Sequence, residues 1–282
     1  MGVVVDRALE QDLAVAVILA RRAGAVAMEH YGNVERLTKT HATTHCEAVT
    51  IADRLVQGSI VAGLREQFPH DGIIGEESET GCGITAEGLE HCERTWVIDP
   101  IDGTNNFIAG LGNWAVCIGL LDAGLPVAGV VYDVTRDQML AGAAGIGATI
   151  NGHPCRARDD PVSAASLLML TSNLLDAEGR CPRWATRWMA QTHWKVRMLG
   201  SAALEAAMVG AGIAHGAVTV NGKLWDCIAP AAFTLAAGGQ VTRLDGEPLF
   251  PFDVSGYRGQ KVPFLAAAPV ARAELVRELR SS

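Results

Sequence analysis

The sequence predicts a layered α/β chain in which an antiparallel sheet comes first and an alternating α/β half follows. Three observations carry this. Two amphipathic helical patterns open the chain, four apolar runs separated by short polar or glycine turns fill residues 114–150, and strands alternate with helices from 167 to 243. The halves are divided beside the turn pair Asn151-Gly152. Residues 1–148 form an α+β half with the antiparallel sheet and most candidate ligands, and residues 149–282 form an α/β half with Asp226 and the loops that choose substrate.

Each element has a local reason. Leu9, Leu13, Val17, Ala20, Ala23 and Ala27 recur at three- and four-residue spacing, which predicts a helix over 7–31. A second helix spans 50–68, with Thr50 as cap, Ile51, Leu55, Ile60 and Leu64 as its apolar face, and PHDG as its stop. Short apolar runs at 72–74 and 95–98 read as strands that end in Glu76-Glu77 and in Asp99-Pro100-Ile101-Asp102. After the meander come strands at 167–170, 195–198, 215–220 and 240–243, and helices at 183–191, 201–209 and 226–237. Trp184 and Trp188, four residues apart, read as a packed helix face.

Composition narrows the function. Lys plus Arg is 23 and Asp plus Glu is 31, a net charge of −8. That sign opposes a nucleic-acid or anionic-membrane partner held by counterion release. No apolar stretch approaches the roughly 20 residues of a membrane span. Seven cysteines without a C-x-x-C pair fit reduced thiols and a cytoplasmic protein.

The residues able to do chemistry are acidic. Asp99 and Asp102 flank a proline and precede Gly103-Thr104, bringing hard oxygen ligands and free backbone N–H groups together as a magnesium phosphate site needs. Alone, Asp226 reads as a helix N-cap. If Glu76, Asp99, Asp102 and Asp226 converge, repulsion among four carboxylates calls for divalent cations.

GEES at 75–78, DPIDGTNNF at 99–107, GSAALEAAMVGAG at 200–212 and WDCIAPAAFTLAAGG at 225–239, with AVTIADR at 48–54 upstream, resemble the inositol monophosphatase family of Mg²⁺-dependent phosphatases. The resemblance covers nearly the whole chain. It implies an α/β/α/β/α fold, a homodimer, and two or three Mg²⁺ ions. Glu76, Asp99 and the Ile101 carbonyl would hold one ion, and Asp99, Asp102 and Asp226 a second. Thr104 and Glu76 would orient the attacking water, with Asp53 supporting Thr104. Gly103 and Thr104 would donate N–H groups to phosphate, and Asp102, Ala202 and Asp226 would line the substrate site.

The chain departs from the family in three places. Glu47 stands where Asp is usual, the nearby lysine is displaced to Lys39, and residues 218–223 lack the acid that many inositol-specific members carry, leaving Asn221 as the nearest polar group. Pro230 falls close to the first turn of the last predicted helix, where a missing N–H is tolerated. The implied activity is hydrolysis of a small polyol or sugar phosphate, inositol monophosphate first. Histidinol phosphate and fructose 1,6-bisphosphate are the alternatives within the family, and a non-catalytic scaffold or metal-binding role is the alternative outside it.

Overall fold

The computed structural model describes residues 7–33, 37–38, 48–49, 51–78, 85–89, 92–175, 179–190 and 194–281. Thr50, Lys39 and Glu47 lie outside them. The first stretch contains α1 (Arg7–Met28), β1 (Leu37–Thr38), β2 (Ala48–Val49), α2 (Ile51–Gln67), β3 (Gly72–Gly75), β4 (Thr85–Glu87), β5 (Arg94–Asp102) and the short α3 (Thr104–Ile108). The meander follows as β6 (Ala115–Asp122), β7 (Leu125–Asp133), β8 (Gln138–Ala143), β9 (Gly147–Ile150) and β10 (His153–Cys155). Then come β11 (Leu167–Leu170), α4 (Arg183–Ala190), β12 (Lys195–Arg197), α5 (Ala202–Gly210), β13 (Gly216–Thr219), α6 (Leu224–Ala236), β14 (Gln240–Thr242), β15 (Phe264–Ala267) and α7 (Arg272–Arg280).

These elements stack in the five layers that the resemblance implies. An eight-stranded sheet runs in the order β10-β9-β8-β7-β6-β5-β3-β4, and a five-stranded one in the order β12-β11-β13-β15-β14. Helices α1 and α2 cover the outer face of the large sheet, α5 and α6 fill the space between the sheets, and α4 and α7 pack outside the small sheet. The tryptophan pair behaves as its spacing predicts: Trp184 and Trp188 are buried with Trp194, Leu275 and Leu279. The Asn151-Gly152 turn, with both residues in the left-handed region, joins β9 to β10, so the large sheet continues past residue 148 to Cys155.

The large sheet grips α6 through a row of glycines. Gly119, Gly129 and Gly142 lie side by side across β6, β7 and β8. A Cβ on Gly129 would stand 2.2 Å from the Ala229 carbonyl oxygen, one on Gly119 2.7 Å from the Ala229 nitrogen, and one on Gly142 3.0 Å from the Ala236 side chain. Without side chains on that row, the α6 backbone lies directly on the sheet.

Several expectations need correction. Helix α2 buries Ala52, Val56, Ile60 and Leu64 together with Asp53 and Gln57, whereas Ile51 and Leu55 are 61% and 49% exposed. The face is rotated because two polar residues turn inward. Pro230 sits well inside α6 rather than in its first turn, at the position whose N–H would otherwise bond the Asp226 carbonyl. Strand β15 and helix α7 fall outside the expected elements, although Ala271, Leu275 and Leu279 recur at helical spacing and are buried, and β15 pairs with both β13 and β14. We expect Gly129→Ala to lower stability by about 3 kcal/mol or more, since the contact is with backbone that cannot rotate away. Urea unfolding checks this, and a midpoint equal to wild type would show that α6 is not held by the row.

Candidate active site

A bulge puts Asp99 and Asp102 on one side of β5. Side chains alternate along a strand, so residues three apart point to opposite faces. Here Asp99 pairs with Cys117 and Asp102 with Ala115, so three steps on β5 oppose two on β6. The extra residue, at Pro100-Ile101, restores the same face, and proline suits a place where no ladder N–H is required. The expected strand end at Ile98 is therefore corrected: β5 runs on through Asp102. The Ile101 N–H donates to Asp99 Oδ1 at 3.1 Å, and the Thr104 hydroxyl donates to the Ile101 carbonyl at 3.0 Å.

Asp226 arrives from the other side on α6. It is the third residue of the helix, after Lys223 at the cap, and its Oδ2 accepts the Lys223 N–H at 2.6 Å. The simple N-cap reading is thus corrected: Asp226 lies within the first turn and its side chain bonds back to the cap residue. Segment 250–263 braces this helix start. The Tyr257 hydroxyl accepts the Leu224 N–H at 2.9 Å and donates to the Gln260 carbonyl, while Lys223 Nζ donates to the Gly259 carbonyl.

One oxygen from each of Asp99, Asp102 and Asp226 lies within 4.8 Å of the others. Burial, then the charges of Glu76, Asp102 and Asp226, hold the Asp99 carboxyl well above the usual carboxylate range. Burial and Asp102 push Asp226 up to about 7. Burial also raises Asp102, against the hydrogen bonds it accepts from the start of α5. Three of the four predicted carboxylates thus meet, and the Cys117 thiol is raised by burial and by the charges of Asp102, Asp99, Asp226 and Glu76.

The remaining predicted residues take definite places. Glu76 follows β3, its N–H donating to the Ile98 carbonyl at 3.2 Å, and its side chain lines the pocket above the cluster. Asp53 is buried in the first turn of α2. Gly103 has φ +88°, and a Cβ there would stand 3.0 Å from the Asn113 carbonyl and 3.1 Å from that of Gly200, so the chain's own backbone already requires glycine. Ala202 lines the pocket, but its N–H is given to Asp102 Oδ1 at 3.1 Å. The pocket has a volume of about 240 Å³, with Thr171, Ser172, Asn173 and Asn221 on its far wall.

Sequence reasoning passed over three supporting side chains. Gln57 accepts the Glu77 N–H and donates to the Glu77 carbonyl, fixing the loop that carries Glu76. Asn106 and Glu205 hold the Leu199-Gly200 turn before α5. Burial pushes the Glu205 carboxyl up to about 8. The inward polar positions Asp53 and Gln57 on an otherwise apolar helix stripe were the available signal for the first. Asn106 and Glu205 sat inside recognised motifs with no spacing to mark them.

The sequence profile of the inositol monophosphatase family matches residues 8–281. A fructose-1,6-bisphosphatase/inositol-1-monophosphatase of Thermotoga maritima is 35% identical over 229 residues, 81% of this chain and 83% of that protein. A histidinol-phosphatase of Mycobacterium tuberculosis is 32% identical over 83% of this chain and 88% of that one. The crystal structure of the extragenic suppressor protein SuhB from Bartonella henselae superposes with a TM-score of 0.82 at 27% identity, covering 96% of this chain and 99% of that chain.

The raised carboxyls fix the sign of a pH effect. They keep protons in the folded chain that the unfolded chain releases, so their contribution to stability without metal is fully present below about pH 4 and is lost as pH rises through about 7. We expect the thermal midpoint of chelator-treated protein to fall over that window and Asp226→Asn to flatten the fall. A midpoint that rises with pH across it would contradict the burial of like charges.

Proposed function

The chain belongs to the inositol monophosphatase family, and from that membership we propose that it is a Mg²⁺-dependent phosphomonoesterase acting on a small polyol or sugar phosphate, inositol monophosphate first. That it is a phosphatase of a metal-dependent family follows from the match itself. The ion and the substrate are the proposal. Its single carrying observation is the meeting of the buried Asp99 and Asp102 with the half-buried Asp226 beside the pocket.

The donor set suits a hard divalent cation, since its members are carboxylates and a carbonyl, with no nitrogen or sulfur. Asp99, with Glu76 and the Ile101 carbonyl on one side and Asp102 and Asp226 on the other, would hold two Mg²⁺ ions, with room in the family pattern for a third. Bound there, the ions supply charge neutralisation at the phosphate and a lowered pKa for water.

The chain's own groups supply position and proton transfer. Thr104 gives its hydroxyl proton to the Ile101 carbonyl, so Oγ1 keeps its lone pairs to accept a hydrogen bond from the attacking water. Glu76 accepts the water's other proton, and Asp53 acts from the first turn of α2 as a positioning residue for Thr104. The N–H groups of Gly103 and Thr104 are the phosphate donors.

The wall favours a neutral polyol. Thr171, Ser172, Asn173 and Asn221 offer hydroxyl and amide groups, and Asn221 spends its amide hydrogens on the Asn173 and Leu175 carbonyls, leaving its oxygen as an acceptor. A second phosphate calls for cations, and among the described residues lining the pocket the cation is Lys223, whose ammonium is given to the Gly259 carbonyl. This supports inositol monophosphate ahead of fructose 1,6-bisphosphate, with histidinol phosphate as the remaining alternative. A homodimer and a cytoplasmic location belong to the same proposal; among the described helices none is long and apolar enough to cross a membrane.

The test is phosphate release from inositol 1-phosphate, histidinol phosphate and fructose 1,6-bisphosphate, with Mg²⁺ and with chelator. Release is expected to be greatest from inositol 1-phosphate, abolished by chelator, and lowered about a hundredfold or more by Asp99→Asn. Full activity in Asp99→Asn, or release untouched by chelator, sinks the mechanism. Preference for another ester corrects the substrate alone.

A further inference from the structure

One turn ahead of α5 is held from two sides by side chains from opposite halves of the chain. Glu205, in the first turn of α5, accepts the Leu199 N–H at 2.5 Å and the Gly200 N–H at 3.1 Å, both with Oε1. Asn106, on α3, donates its amide to the Leu199 carbonyl at 2.7 Å and to the Asn113 carbonyl at 2.8 Å. The N–H and the C=O of Leu199 are thus both fixed. The fit is close: Gly200 has φ +83°, and a Cβ there would lie 3.0 Å from the Asn106 amide nitrogen.

What the turn aims is Asp102. The three residues after it converge on that carboxylate: the Ser201 hydroxyl and the Ala203 N–H donate to Oδ2, and the Ala202 N–H donates to Oδ1. One hydroxyl and two backbone N–H groups set the rotation of the carboxylate and leave its remaining lone pairs for a cation. Glu205 itself is an unfavourable residue to bury. It is 1% exposed, and its Oε2 has no hydrogen-bond partner among the described residues. An apolar side chain of that size would stabilise the helix more, so its service lies in what Oε1 holds.

We propose that Asn106 and Glu205 act together as positioning residues, clamping the Leu199-Gly200 turn so that Ser201, Ala202 and Ala203 hold the Asp102 carboxylate in the orientation that binds Mg²⁺. The inference rests on Asp102 being a Mg²⁺ ligand, as read above. Neither clamp residue touches the reacting atoms. Their effect is on ion affinity, and partners of metal ligands typically change it by about 10- to 100-fold.

The experiment is calorimetric titration of Mg²⁺ into the chelator-stripped full chain, for wild type, Asn106→Ala, Glu205→Ala, the double variant and Glu205→Gln, with circular dichroism to confirm the folded state. Each alanine variant is expected to weaken Mg²⁺ binding about 10- to 100-fold. The double variant should weaken it no further than the weaker single, because one turn is released once. Glu205→Gln keeps an acceptor oxygen and should restore most of the affinity, which a general loss of packing would not do. If Glu205→Ala does not fold, Asn106→Ala decides, since it leaves the carboxyl and its bonds in place. Wild-type affinity in a folded alanine variant, additive losses in the double, or Glu205→Gln as weak as Glu205→Ala overturns the clamp. Absence of Mg²⁺ binding by wild type overturns both the clamp and the catalytic reading, whereas normal Mg²⁺ responses without release from any ester overturn the catalytic reading alone.

Discussion

Three carboxylates, two of them buried and the third half-buried, lie within 4.8 Å of one another and repel, and the architecture is arranged to keep them there. Left to themselves, such groups separate or take up protons. Here Asp99 and Asp102 are fixed by the bulge in β5, Asp102 is further held by three donors at the start of α5, and Asp226 is tied to the Lys223 N–H at the start of α6. The cluster is an electrostatic burden on the empty protein and a ready site for a divalent cation. Both properties come from the same geometry.

Bringing the third carboxylate to the other two is a packing problem. Asp226 rides on a helix that lies between two sheets, and its height above β5 is set by how closely that helix approaches β6, β7 and β8. The glycine row at 119, 129 and 142 sets this approach, while Tyr257, Gly259 and Val262 fix the first turn from the far side. The site thus joins the large sheet, the middle helices and a loop of the small-sheet half, and it is complete only when all of these are docked.

Much of this was legible in the sequence, and the rest was hidden for identifiable reasons. The meander, the alternating second half and the acidic residues at strand and helix ends follow from periodicity and turn chemistry, and the motif order extended them to the layer arrangement and to Glu76, Asp99, Asp102, Thr104 and Asp226. The α2 face was misread because Ile51 and Leu55 are apolar by type, whereas the helix turns Asp53 and Gln57 inward. A bulge cannot be read from Asp99-Pro100-Ile101-Asp102 alone, since the register belongs to the pairing with β6. Asn106 and Glu205 escaped because their partners are backbone groups, the Leu199 carbonyl 93 residues from Asn106 and the Gly200 N–H 5 residues from Glu205, and backbone leaves no mark in composition.

The bulge also constrains how this protein can vary over generations. Along an ordinary strand a deletion slides the register, and hairpin loops can absorb the change. Between Asp99 and Asp102 the number of residues is itself the information. Deleting one residue together with the bulge would leave the acids two apart and still on one face of a regular strand, but it would remove the Pro100-Ile101 turn whose N–H donates to Asp99 and whose carbonyl accepts the Thr104 hydroxyl. Exchanges on the pocket wall at 171–173 touch none of these bonds, whereas a change of length between the two acids breaks them.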